Sequence, residues 1–249
     1  MPKTLKSQIQ QLKSPNFDTR GGADIDILLM HYTGMETGEA AIERLCSQEA
    51  GVSSHYVVEE DGRIFQLVDE AERAWHAGVS HWAGDEDINA RSIGIEIVNP
   101  GHEFGYRQFP KEQIDTVIEL SQGILSRRAI PPTRVIGHSD VAPTRKQDPG
   151  ELFPWQRLAF KGIGRFIDPG SVEPVAGKDI GPGDTGWQVQ EYQNNLKAFG
   201  YKTEVTGAFD EATVITTLAF QRHFRPEAMN GLGDLHTLEL LRTYVNFRG

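Results

Sequence analysis

His138 and Asp148 lie ten residues apart in Gly137-His138-Ser139-Asp140-Val141-Ala142-Pro143-Thr144-Arg145-Lys146-Gln147-Asp148-Pro149-Gly150. Pro143 and Pro149 break this stretch, so it cannot be a continuous helix. Far upstream, the apolar run Ile27-Leu28-Leu29-Met30 delivers a second histidine, His31. Two imidazoles and one carboxylate suit a catalytic zinc, whose fourth position stays open for water. If the three converge, the chemistry is metal-assisted hydrolysis. Such chemistry also needs a proton acceptor and a cation or donor near the developing oxyanion. Glu96 is a carboxylate inside the otherwise apolar Ser92-Ile93-Gly94-Ile95-Glu96-Ile97-Val98. Buried charge must be compensated, so Glu96 either pairs with Arg91 or Arg134 across a sheet face or points into a cleft. Lys146 precedes Asp148 by two residues, and in an extended segment such residues project to the same side. It either reaches the reaction centre or stays a solvated loop lysine between Arg145 and Gln147.

The elements that must position these groups read as an α/β domain, a mixed central sheet flanked by helices. Ile25–His31 is a buried strand that ends on a histidine, and Thr133–His138 is a short strand that ends on another. Ser54–Val58 and Arg63–Val68 flank Glu60-Asp61-Gly62, a hairpin signal. Ser92–Val98 is a further strand, with Gly94 marking a close backbone approach. Thr37 caps a helix that runs through Leu45. Pro110 opens another, with Ile114, Val117, Ile118, Ser121, Ile124 and Leu125 on one face. Residues 1 to about 22 are polar and are expected to wrap the surface. The one cysteine, Cys46, excludes an intramolecular disulfide and a cysteine-based zinc cluster, and its spacing to Ile42 and Leu45 suits helix packing.

The chain turns rich in proline and glycine after residue 167, and we divide it into a catalytic domain of residues 1–167, a linker of 168–184 and a small three-helix bundle of 185–249. In the bundle, Val189, Tyr192, Leu196 and Phe199 keep helical spacing, and Asp210 and Asp234 each stand three residues before a threonine as acidic caps. His223 and His236 have no ligand-like neighbours there and are expected at the surface or in packing. At 249 residues the chain has room for a medium domain and a small one. A formal net charge of −10 gives no electrostatic footprint for nucleic acid or an anionic membrane. No run approaches the roughly 18 apolar residues of a membrane span. The first ten residues lack the apolar core of a secretory leader. The expected location is the cytoplasm, or the periplasm or cell envelope if a leader was removed, and the expected state is a monomer.

Taken together, His31-Tyr32-Thr33, Val52-Ser53-Ser54-His55-Tyr56, Ala74-Trp75-His76-Ala77-Gly78, Asn89 through Glu96, and Gly137 through Gly150 resemble the zinc-dependent N-acetylmuramoyl-L-alanine amidases of the AmpD type. These share their fold with peptidoglycan recognition proteins. The resemblance covers roughly residues 25 to 155 in the family's order. It implies one zinc per chain on His31, His138 and Asp148. It further implies Glu96 as the carboxylate that handles the water's proton and Lys146 as the cation that faces the oxyanion. The implied substrate is a muropeptide, cut at the amide between the lactyl group of N-acetylmuramic (or 1,6-anhydro-N-acetylmuramic) acid and L-alanine. Tyr32, His55, Trp75, His76 and Asn89 match segments that line the family's cleft, with packing the alternative for Trp75 and His55. A non-catalytic recognition module on the same fold is the competing class. Such proteins typically lack a zinc ligand, and here all three are present. No His-Glu-x-x-His helix supports a different zinc peptidase.

Two positions depart from the pattern. Asp87 stands where some recycling amidases carry an arginine that holds a stem-peptide carboxylate. Asn99 through Tyr106 forms a distinct loop, and its His102 is expected to be loop material, not a fourth ligand. The C-terminal region resembles a peptidoglycan-binding three-helix domain through Gly183–Gln190, Thr206–Thr213 and Ala219–Arg222, but Arg225–Gly231 replaces the family's glycine-aspartate turn. This module therefore either binds peptidoglycan or braces the catalytic domain.

Overall fold

The computed structural model describes residues 9–174 and 176–246. The polar residues 1–8, which carried most of the expectation of no leader, lie outside them. The first part of the chain runs β1 (Ile9–Gln11), β2 (Phe17–Thr19), β3 (Ile27–Tyr32), α1 (Gly38–Cys46), β4 (Tyr56–Val58), β5 (Ile64–Gln66), β6 (Glu72–Ala74), α2 (Ile88–Arg91), β7 (Ser92–Ile97), α3 (Gly101–Phe104), α4 (Lys111–Leu125), β8 (Val135–Gly137), α5 (His138–Val141) and α6 (Trp155–Phe160). Six strands form one sheet in the order β1-β5-β4-β7-β3-β8, and β2 pairs with β6 apart from it. Within the sheet β4 and β5 are antiparallel, as the Glu60-Asp61-Gly62 turn requires, and the other pairings are parallel. The sheet is therefore mixed, as expected.

β3 and β7 are adjacent interior strands of this sheet. Ile27, Leu28, Leu29 and Met30 are fully buried, and so are Ile93, Ile95 and Ile97. A parallel strand covered on both faces reads as a continuous apolar run, which is why these segments show no polar alternation. Their register sets His31 directly beside Glu96. α1 keeps its Thr37 cap, whose side chain accepts from the Ala40 N–H at 3.1 Å. α4 buries Ile114, Val117, Ile118, Ser121 and Ile124 as its pattern implies, and also Leu120 and Gln113. The Gln113 amide donates to the carbonyls of Val58 (3.1 Å) and Val98 (2.8 Å), pinning the helix to two strand ends. Cys46 packs with Ile42 against the cluster of Leu45, Val57, Phe65 and Leu67.

Two expectations change. Residues 9–11 and 17–19 are not a plain surface wrap, since they add β1 beside β5 and β2 beside β6. Strands of three largely polar residues carry no hydrophobic pattern of their own and form because a partner edge is available. The strand expected over Thr133–His138 shortens to Val135–Gly137, and His138 starts the one-turn α5 instead of ending a strand.

The chain divides into two compact units. The first takes in the chain up to Val79 with Asp87–His138 and Asp148–Arg165; the second takes in Ser80–Glu86, Ser139–Gln147 and the chain from Phe166 onward. The second unit is built on α7 (Trp187–Phe199), α8 (Glu211–Phe224) and α9 (Leu235–Asn246). Asp210 and Asp234 cap the last two, accepting from the N–H of Thr213 at 2.9 Å and of Thr237 at 2.8 Å. Phe199, Phe220, Phe224 and Tyr244 meet largely edge to face in its core. Ile180 pairs with Gly233, and Thr185 with Ala208. No described helix is long and apolar enough to cross a membrane.

Candidate metal centre

β3 carries His31 one residue before its end at Tyr32, the turn from β8 into α5 presents His138, and the proline-broken loop returns with Asp148. Their donor atoms converge. His31 Nδ1 is 2.9 Å from His138 Nδ1, and each is 3.0 Å from Asp148 Oδ2. All three side chains are buried, and among the described residues they form the one His/Cys/Asp/Glu group with metal-ligand spacing. Two ligands of a tetrahedral zinc with bonds of about 2.0–2.1 Å stand roughly 3.3 Å apart, so these donors are spaced for a single ion.

The protonation pattern behind the ligands fits the same reading. His138 Nε2 lies 3.0 Å from the Ala77 carbonyl, which can only accept, so that nitrogen carries a proton and Nδ1 is the atom turned toward the other donors. His31 reaches the same state through a longer chain. The Ser92 hydroxyl donates to the Ile88 carbonyl at 2.6 Å, leaving its oxygen to accept from His76 Nε2 at 3.3 Å. Burial holds the His76 imidazole well below its ordinary pKa, with the neighbouring imidazoles adding to the effect, so the ring is neutral. His76 Nδ1 must then accept from His31 Nε2, 3.0 Å away. Both Nδ1 atoms therefore face each other and a carboxylate oxygen, the side from which a cation would be bound. The Asp148 carboxyl resists the upward pull of burial and is held well below the usual carboxylate range by the facing His138 and His31 rings.

One amide supports both arms of this arrangement. Asn89 Oδ1 accepts from the N–H of His76 at 3.0 Å and of Ala77 at 2.8 Å, fixing the turn that supplies the His76 ring and the Ala77 carbonyl. Gly94 is required opposite, because a Cβ there would come within 2.6 Å of the His76 ring. Partners of this kind set ligand tautomer and basicity, and their loss typically weakens metal affinity about 10- to 100-fold. We expect His76→Ala to weaken zinc binding by that factor in competition with a chelating dye; unchanged affinity would remove His76 from this role.

Glu96 is half-buried beside His31 on β7. Arg91 and Arg134 both converge on Asp26, at the far end of the paired strands. At about 3.3 Å per residue, the five positions from Arg91 to Glu96 put that ion cluster roughly 16 Å along the sheet. The carboxylate next to His31 thus sits at the end of the strand nearest the candidate metal group.

Residues 21–151 match the N-acetylmuramoyl-L-alanine amidase family. The chain belongs to this family. Residues 185–241 match a putative peptidoglycan-binding domain. The amidase is 39% identical over 229 residues to N-acetylmuramoyl-L-alanine amidase AmiD of Escherichia coli, covering 86% of this chain and 79% of AmiD. It is 33% identical over 174 residues to the 1,6-anhydro-N-acetylmuramyl-L-alanine amidase AmpD of Haemophilus influenzae, covering 62% of this chain and 92% of that one. Its fold is similar to that of Escherichia coli AmiD in complex with anhydro-N-acetylmuramic acid-L-Ala-D-γ-Glu-L-Lys, with a TM-score of 0.76, 33% identity and 92% of each chain covered. It is also similar to AmpDh3 from Pseudomonas aeruginosa, with a TM-score of 0.73, 30% identity and 95% of each chain covered.

The remaining cleft candidates of the amidase separate by burial. Tyr32 and Trp75 are half-buried. His55, His76 and Asn89, expected along the cleft, are buried, with the ring nitrogens of His55 and His76 and the Asn89 Oδ1 hydrogen-bonded to protein. His55 Nδ1 accepts from the Gly94 N–H at 3.0 Å, and burial together with the nearby Arg20 guanidinium pushes its pKa down to about 3. Side chains held this way are suited to positioning their neighbours. His102 is not a ligand and is not loose, since it stacks on Tyr106 at 4.4 Å with Nδ1 2.9 Å from the Tyr32 hydroxyl and Nε2 3.2 Å from Glu151. Asp87 caps α2 and pairs with Arg73 at 3.0 Å. Ser92 and Ala77 were missed by sequence reasoning, because a serine opening a strand and a backbone carbonyl carry no local signal. Lys146 falls in the second unit and is half-buried, with its N–H donating to the Ala142 carbonyl at 3.0 Å.

Proposed function

We propose that this amidase is a zinc enzyme, with one zinc per chain on His31, His138 and Asp148, that hydrolyses the amide between the lactyl group of N-acetylmuramic or 1,6-anhydro-N-acetylmuramic acid and L-alanine. The observation that carries the reading is the meeting of three buried donor atoms at 2.9–3.0 Å. The bound anhydro-muropeptide of the similar AmiD structure supports the substrate class. When bound, zinc supplies Lewis acidity that polarises a carbonyl and makes water nucleophilic near neutral pH. Glu96 takes the proton as water adds to the carbonyl carbon and returns it to the L-alanine nitrogen as the C–N bond breaks. Lys146 offsets the negative charge that gathers on the carbonyl oxygen. Tyr32 and Trp75 are the half-buried aromatics we assign to the sugar or the first stem residues. Residues 1–167 form the catalytic domain, 168–184 a linker and 185–249 the peptidoglycan-binding-like module.

Mass spectrometry of products from an anhydro-muropeptide and from intact sacculi tests the reading. The expected products are the muramic acid moiety and a stem peptide with a free L-alanine amine, and a chelator should abolish them. Cleavage at another bond, or full turnover by metal-free protein, would overturn it.

A further inference from the structure

Asp140 lies in the loop between His138 and Asp148, is 1% exposed, and is not used by the proposed mechanism. Both of its oxygens are taken up within the second unit. The Tyr201 hydroxyl donates to Oδ1 at 2.8 Å, and His223 Nδ1 lies 2.7 Å from Oδ2. Tyr201 and His223 are themselves 1% and 3% exposed. Tyr201 follows the end of α7, and His223 sits in the last turn of α8. Burial and the Asp140 carboxylate push the Tyr201 phenol well above its usual pKa, so it stays a donor. A buried carboxyl group that accepts from two such donors is held in place, because losing either one costs a buried hydrogen bond.

The same module holds the rest of the loop. The His81 N–H donates to the Val141 carbonyl at 2.8 Å, and the Ala83 N–H donates to Gly200 at 2.8 Å. Trp82 is buried edge-on to Tyr201 at 5.2 Å and to Phe199 at 5.7 Å. Gly200 leaves room for that indole, since a Cβ there would come within 2.9 Å of it. From Ala142, next after Val141, the carbonyl accepts the N–H groups of Arg145 and Lys146, both at 3.0 Å. Hydrogen bonds joined by the Asp140–Ala142 backbone therefore link the helical module to the backbone of Lys146.

We infer that Tyr201 and His223 are positioning residues for the Lys146 loop, so that the C-terminal module is a working part of the hydrolase as well as any wall-binding appendage. The inference rests on the assignment of Lys146 as the oxyanion cation. Its sequence signal was hidden, because His223 gains its partner from 83 residues away.

The test uses the full chain and a soluble anhydro-muropeptide, which offers no wall for an appendage to bind. Tyr201→Phe, His223→Gln and their double variant should keep about one zinc per chain. Their kcat should fall roughly 10- to 100-fold with KM little changed, as expected when a catalytic group is displaced by a fraction of an ångström to an ångström. In a Lys146→Ala background the same substitutions should cost almost nothing more, whereas a merely structural role would give additive losses. Asp140→Asn, which keeps the side chain's shape, reads the same contact should His223→Gln fail to fold. Folded, zinc-loaded variants with full kcat, while Lys146→Ala alone is slow, would overturn the positioning role and leave the function intact. A Lys146→Ala enzyme with full kcat would instead overturn the Lys146 assignment, and the positioning role with it.

Discussion

Replacing Asp148 or His31 by alanine should give a folded protein that neither retains zinc nor turns over a muropeptide. Asp148 is the single anion of the donor set, and its Oδ2 is shared at 3.0 Å by both imidazoles. His31 contributes the donor whose lone pair is fixed through His76 and Ser92. Removing either leaves two ligands, too few to hold a catalytic ion against free water. Lewis-acid stabilisation amounts to several kcal/mol, so its loss corresponds to about a thousandfold or more in rate. Metal analysis after dialysis and initial rates read the two effects separately, and the melting temperature of metal-free wild type is the reference for folding. A variant with stoichiometric zinc and wild-type rate would remove that residue from the ligand set. Zinc binds only the unprotonated imidazoles, so lowering the pH should release it from the wild type as well.

Glu96→Gln should behave in the opposite way, keeping zinc and losing turnover. Glutamine preserves the shape and polarity of a half-buried side chain beside His31, and it leaves the three ligands untouched. It cannot accept the proton of the attacking water. A positioned acid-base group contributes about 10²- to 10⁴-fold, and kcat should fall by that factor with KM nearly unchanged. Zinc content near one per chain together with the drop in kcat would separate Glu96 from the ligands. An unaltered kcat would exclude Glu96 as the proton carrier.

Much of the fold was legible because its causes are local. The Thr37, Asp210 and Asp234 caps act within three residues. The Glu60-Asp61-Gly62 turn joins the β4–β5 hairpin, and the apolar runs of β3 and β7 reflect burial on both faces. The two short strands β1 and β2 were not legible, since three residues with one apolar side chain among them acquire strand geometry only from the partner edge they meet.

The candidate site divides along the same line. Residue types and order by themselves determined the donor set His31, His138 and Asp148, the carboxylate Glu96, and the family they resemble, because the chemistry of each side chain is written in its identity. Tertiary structure alone decided that the three donors meet, and that His31 and Glu96 are neighbours through the β3–β7 register. It also buried His55, His76 and Asn89, which the resemblance implied as cleft residues, and gave His223 its partner in Asp140. Each of these outcomes rests on contacts between residues distant in the chain. No local spacing encodes such contacts, because they arise only when packed strands and helices bring the two halves of each bond together.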